Sequence, residues 1–235
     1  MKVKAILTLI TVCYLSSGPI CSGQDKSGSH IKYTAGIITG YDKGYGFQCN
    51  FTAHNFEKDF PFQLRLGIGF TFLNPGNATD ARRIFVNNAT NGTPEKKGHS
   101  IDYRLDFMIP KTVFKVEDSY LVFGPRFSTF LGDFKYVGGN EDFEVKSHQW
   151  GIGAEIEHHF RMIKKFEFVI NYGLDFYIPG KLAGHDSSYS PDNDNVNPKN
   201  DNQNDNIEFV YKDADKAINQ PKLMPHLMIG VNFDL

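Results

Sequence analysis

The sequence predicts an all-β fold, an eight-stranded antiparallel up-and-down transmembrane β-barrel with long extracellular loops. Three observations predict it. Eight segments alternate apolar and polar residues with period two, as strands do when their two faces meet different surroundings. After the first residues no apolar run is long enough for a spanning helix, so a membrane would have to be crossed with strands. Long connections between the segments fall on one end and compact ones on the other.

The segments follow in order. Residues Ile31 to Gly40 form a weak first one, and the turn "YDKG" leads into "YGFQCNFTAHNF". There Tyr45, Phe47, Cys49, Phe51 and Ala53 alternate with Gly46, Gln48, Asn50, Thr52 and His54. After "NFEKD" the third, "FPFQLRLGIGFTF", sets Phe62, Leu64, Leu66, Ile68, Phe70 and Phe72 against Gln63, Arg65, Gly67, Gly69 and Thr71. A long loop, Asn74 to His99, precedes "SIDYRLDFMI". A compact link around Lys111 to Asp118 leads to Tyr120–Phe130, and a hairpin extension bending near "GGNED" leads to Gln149–Phe160. "RMIKK" joins this to "FEFVINYGLDFY"; the longest loop, about Ile178 to Lys222, then precedes "HLMIGVNFDL". Short helices are expected at "DARRIFVN" and at "DADKAIN", the latter capped by Asp213. An even strand count puts both termini on the compact, periplasmic side.

The chain start reads as an export signal: Met1-Lys2-Val3-Lys4 is positive, Ala5 to Leu15 apolar, and Ser16 to Gly23 small-residue-rich. The expected domains are therefore a cleaved signal, residues 1–23, and one barrel, residues 24–235. Cleavage would remove Cys13 and Cys21, leaving Cys49 and no internal disulfide. Losing Lys2 and Lys4 takes the formal charge from −2 to −4. That sign argues against nucleic acid as a partner.

Alternation alone does not say which face meets oil, since a soluble carrier barrel would bury its apolar face around a ligand. The polar face decides it. Gly67, Gly69, Gly124, Gly151, Gly153, Gly173 and Gly230 are mixed there with Arg65, Arg104, Arg126, Asp102, Asp106, Glu155, Glu157 and Asp175. Glycines beside large charged groups suit a crowded interior, where some positions stay empty so that others fit. The apolar face carries almost no charge along the middle of segments three, four and seven, where a lipid-facing Arg or Lys would cost about 2–4 kcal/mol. Aromatic residues such as Phe60, Phe62, Phe72, Trp150, Phe160 and Phe176 gather near strand ends, as interfacial girdles do.

The last strand carries a resemblance. Leu227, Ile229, Val231, Phe233 and Leu235 alternate back from the terminus. This resembles the terminal strand by which bacterial outer-membrane proteins are recognised for assembly, with Leu235 standing where an aromatic residue is usual. With the signal and the eight segments, the mature chain resembles small barrels of the OmpA transmembrane-domain and OmpX type. The resemblance implies a Gram-negative outer membrane, the barrel-assembly machinery during biogenesis, surrounding lipid and lipopolysaccharide, and no cofactor. It is one of architecture, and no activity or outside partner follows from it.

Candidate chemistry lies first in the lumen. Arg65, Arg104 and Arg126 come from segments three to five, with Asp102 and Asp106 beside them; Glu155, Glu157, Glu167 and Asp175 come from segments six and seven. They should form an ion-pair network that plugs the barrel, since buried charges need partners. The functional expectation is a structural or surface-interaction role with loops presented outside. The alternatives are a narrow porin-like channel for small solutes or a lipopolysaccharide-modifying barrel enzyme. For the enzyme, His185-Asp186-Ser187 and His99-Ser100 sit where a nucleophile and base would have to lie. His158 and His159 are strand neighbours on opposite faces, so they do not form a joint metal site. The Asn/Asp-rich Asp192–Asn206 lacks the glycine and regular ligand spacing of a calcium loop and reads as a polar surface loop; no metal is expected. Arg82, Arg83, Lys96 and Lys97 make the loop after segment three basic and are candidates for lipopolysaccharide phosphates.

Overall fold

The computed structural model describes residues 31–56, 60–86, 91–139, 141–185, 187–192, 197–200 and 206–235, with backbone alone at 197–200, 206 and 207. The export signal expected at 1–23 lies outside the described residues. Eight strands close the barrel: β1 (Lys32–Asp42), β2 (Tyr45–His54), β3 (Gln63–Leu73), β4 (Thr93–Pro110), β5 (Ser119–Val137), β6 (Asp142–Ile163), β7 (Phe166–Tyr177) and, after four short strands, β12 (Leu223–Asp234). Neighbours pair antiparallel all the way round, with β5 on β6, β7 on β12 and β12 on β1 closing the ring.

The period of two sorts the side chains as the sequence implies. Leu66, Ile68, Phe72, Tyr103, Ile152, Leu174, Leu227 and Ile229 lie exposed on the outer face. Arg65, Asp102, Arg104, Asp106, Arg126, Glu155, Glu157 and Asp175 are buried inside. Closure leaves no open barrel edge, which a hydrocarbon environment would penalise.

The rim is lopsided. The link between β1 and β2 belongs to the same end as the long connections, yet it is a tight turn at Lys43 and Gly44, with Lys43 at φ 53. On the other side β4, β5 and β6 run 18, 19 and 22 residues and rise above the barrel. The loop expected over Asn74–His99 is therefore shorter than expected: β4 begins at Thr93, so Lys96 and Lys97 stand on a strand, opposite Phe134 and Asp133.

The polarity of the two faces inverts along this extension. The inner face of β5 passes from Arg126 and Ser128 to buried Phe130, Phe134 and Tyr136; that of β6 contributes Phe143 and Val145. Their outer faces carry Asp133, Lys135, Asp142, Glu144 and Lys146 instead. The inner apolar strip is covered by a cap made from the long connections. Helix α1 (Ala78–Phe85) is capped by Asn77, whose side chain accepts from the Thr79 and Asp80 amides at 3.0 and 3.4 Å. It buries Ala78, Ala81, Ile84 and Phe85 along one side. Strands β8 (Leu182–Gly184) and β9 (Ser187–Tyr189) extend the sheet from β6. A two-stranded hairpin, β10 (Asn197–Asn200) and β11 (Asn206–Phe209), occupies part of the Asn/Asp-rich segment.

Helix α2 (Tyr211–Ala217) follows. Asp213 is not its cap: it lies within the first turn and accepts from the Val210 amide at 3.1 Å. Leu182, Tyr189, Phe209, Ala214 and Ile218 complete one apolar core with α1 and the strand extension.

Candidate functional site

Two interiors follow from this fold, a polar lumen and an apolar cap above it. The lumen is organised by three arginines from consecutive strands reaching across to β6 and β7. Arg65 bonds Asp106 at 3.0 Å, Glu157 at 2.5 Å and Glu155 at 3.3 Å. Arg104 bonds Glu155 at 2.9 Å and Asp175 at 2.7 Å. Arg126 bonds Asp106 at 2.5 Å, Glu155 at 2.7 Å and Asp175 at 3.0 Å. Each guanidinium thus uses its planar fork on carboxylates from different strands, so the network ties the wall together across its bore. Asn171 donates to both Glu155 and Glu157, at 2.8 and 3.0 Å.

Gly153 shows why glycine sits among these charges. A Cβ there would collide with Asp175 Oδ1 and Arg126 Nη2, the pair that passes directly over it.

Seven of the eight residues expected in the network are brought together in this way; Asp102 is not. It accepts from Tyr177 at 3.1 Å and from Ser100 at 3.4 Å, and no basic side chain among the described residues lies within 4 Å of it. Glu167 lies at the lower margin with His159, whose two ring nitrogens sit 2.8 Å from Glu167 and 2.7 Å from Glu157. His158 faces the other way, 2.7 Å from Ser119 Oγ and 3.1 Å from the Tyr172 hydroxyl. Sequence reasoning missed Asp42, Tyr177 and His226 as lumen residues, while Gln48 lies on the polar face where its alternation put it. The parity of its strand carries the signal for His226, while Asp42 is hidden by its place in a turn motif.

The basic residues of the second connection divide. Arg82 and Arg83 lie over the Tyr136 and Phe209 rings, at 5.1 and 5.6 Å from the centroids, and so hold α1 to the cap. Lys96 donates to the Gly76 carbonyl at 2.5 Å. Lys97 is exposed on the outer face opposite Asp133. His99 and Ser100 point to opposite faces, His99 stacked on Phe70 and Ser100 buried in the lumen. Ser187 donates to the Phe85 carbonyl at 3.4 Å, and Asp186 lies outside the described residues.

The cap is braced over the mouth by Gln220, which is buried. Its carbonyl accepts from Ser147 at 2.9 Å and from the Gly180 amide at 3.2 Å; its amide donates to Tyr211 and Asp215, both at 2.8 Å. Gln149 holds the next residue, donating to the Pro221 carbonyl at 2.6 Å. Burial in this brace pushes the Tyr211 hydroxyl up to about 12.

No protein-family model matches the chain, and no curated protein matches it. Among solved structures, a major outer membrane protein from Thermus thermophilus is similar, with a TM-score of 0.68 at 19% identity, covering 87% of this chain and 99% of that one. CarO of Acinetobacter baumannii is matched over 87% of this chain and 97% of that one, at 14% identity and a TM-score of 0.38. The first similarity agrees with the strand count and closure: the fold is a closed eight-stranded antiparallel β-barrel with two short helices.

Proposed function

We propose that the protein is an outer-membrane β-barrel with a structural or surface-interaction role, its lumen plugged and its cap presented outside, with both termini periplasmic. The observation that carries this reading is the set of three buried arginines bonded across the bore to four carboxylates. Such a network costs too much to break for easy passage of solute, because a buried charge deprived of its partner is penalised by about 3–5 kcal/mol. The exposed apolar face supports residence in lipid, and Leu227, Ile229, Val231 and Phe233 share that face of the last strand, with Leu235 directly after the strand end, an arrangement that suits an assembly signal. For lipopolysaccharide contact, the geometry favours Lys97 over Arg82, Arg83 and Lys96, since Lys97 alone of the four lies on the outer strand face without a cap contact among the described residues.

A non-enzymatic role fits the poor disposition of the two serine–histidine candidates for catalysis: one pair is split between faces, and the Ser187 hydroxyl is engaged with the cap backbone. The test is conductance of the purified protein in planar bilayers, with mass spectrometry of lipid A after overexpression alongside. The expected results are no stable large conductance and unchanged lipid A. A stable large conductance would favour the narrow porin-like channel, and altered lipid A the modifying enzyme.

A further inference from the structure

We propose that the upper lumen, between the arginine network and the cap, binds a hard cation of the calcium type at Asp42 and Asp102. The first ground is charge. Among the described residues six lumen carboxylates are buried, Asp42, Asp102, Asp106, Glu155, Glu157 and Asp175, against Arg65, Arg104 and Arg126. His159 and His226 raise the cations to five only if both are charged. The arginines spend their short contacts on the other four carboxylates, so the deficit falls on Asp42 and Asp102, neither of which has a basic group among the described residues within 4 Å. Buried charges are paired or coordinate a metal.

The second ground is an excess of unused oxygen acceptors at the same level. Asp42 Oδ2 accepts from Thr71 Oγ1 at 2.6 Å, but its Oδ1 has no partner among the described residues. Thr71 stands opposite Ser100, whose hydroxyl donates to Asp102, so the residues bonded to the two carboxylates are cross-strand neighbours. Gln48 stands opposite Gly69, and Gly69 opposite Asp102. The Gln48 amide nitrogen donates to Asn50, which leaves its carbonyl oxygen as the other end; that oxygen is fully buried and has no partner among the described residues. Carboxylate, hydroxyl and amide oxygens with no sulfur or imidazole are the donor set of Ca²⁺ and similar hard ions, whose coordination tolerates irregular spacing and retained water.

A softer alternative, Glu155, Asp175 and His226, brings its ligand atoms within 4.8 Å of one another. Its Glu155 Oε1 already accepts from Arg104 and Arg126, and its Asp175 Oδ2 from Arg104. A metal there would face two guanidinium groups, so the geometry favours the upper level. This assignment departs from the metal-free interior expected from the sequence, and it does not depend on what the cap meets outside.

The test uses the full mature chain refolded in detergent with Ca²⁺ or with Tb³⁺ as its luminescent stand-in, then washed free of loose ion. Tyr177, whose hydroxyl is 3.1 Å from Asp102, should sensitise terbium emission. Asp102→Asn and Gln48→Leu should each weaken uptake by at least about tenfold, while Asp192→Asn in the Asn/Asp-rich loop should leave it unchanged. Ca²⁺ should raise the unfolding temperature of the unmodified chain, and Asp102→Asn should be the more stable chain in chelator and insensitive to Ca²⁺. Should Asp102→Asn fail to refold, Gln48→Leu and Asp42→Asn carry the same comparison. Uptake lost only in Asp192→Asn, or an unfolding temperature equally sensitive to Ca²⁺ in all variants, would overturn the assignment.

Discussion

The lumen and the cap lie end to end and are held together by opposite means. In the lumen the packing units are charges: removing one leaves its partners stranded in a place water does not reach. In the cap they are apolar side chains such as Phe85, Phe134 and Leu182, backed by local hydrogen bonds to Gln220, so a lost side chain leaves a cavity that the loops around it can partly collapse. The same strands, β5 and β6, serve both regions, with the faces exchanging polarity between Ser128 and Phe130 on β5. On the proposed membrane reading, what changes there is the solvent on the outside, from oil to water. A barrel wall in oil turns its polar residues inward; the same wall in water turns its apolar residues inward and needs a cover.

Substitutions can sharpen this contrast, starting with the largest effect. Arg126→Met should cost about 3–5 kcal/mol in global stability, because Asp106, Glu155 and Asp175 all lose a partner; urea unfolding of the refolded barrel measures it. Phe134→Ala, at a fully buried cap position, should cost about 3 kcal/mol locally. Its signature is proteolysis within Lys181–Lys222 while the barrel stays folded, and simultaneous loss of the barrel would contradict the contrast between a cap and a lumen held by different means. Asn77→Ala removes the acceptor for two helix amides and should loosen α1 by about 1 kcal/mol, read by hydrogen exchange at Thr79 and Asp80.

The smallest effect is alkaline. The Tyr211 hydroxyl is raised in the folded cap from near 10 to about 12. Its contribution is therefore present below pH 10 and is lost as pH climbs through about 12. Protease sensitivity of the cap should rise over that window in the unmodified chain, and Tyr211→Phe should flatten the rise.

The same contrast explains what could be read from the sequence. Along β3, β4 and β7 strict alternation holds because each face meets one medium, so Arg65, Arg104 and Asp175 are placed inward by parity alone. Above the barrel "FSTFLGDFKYV" carries aromatics and charges in exchanged phase, and a reading by one phase ends the strand at Phe130. The reversal of phase is itself a signal, and on the proposed membrane reading it marks where the oil stops. The cap was hidden for another reason: its short helices and strands are stabilised by contacts distant in sequence, such as Tyr189 donating to Ile84 at 3.0 Å and Tyr136 to Ala78 at 2.9 Å. In the lumen, the partners of each arginine depend on register and tilt, which parity does not supply, so the exclusion of Asp102 from the network was not legible.

The central claim, that the apolar face lies in lipid and the charges inside, rests on an orientation that one residue reports. Trp150 is the chain's only tryptophan and stands 66% exposed on the outer face of β6. Its fluorescence should be measured in proteoliposomes made with lipids brominated along the acyl chain, against acrylamide in the aqueous phase. Strong quenching by the brominated lipids with little effect of acrylamide is the expected result. Quenching by acrylamide alone would put the apolar face in water and contradict the account.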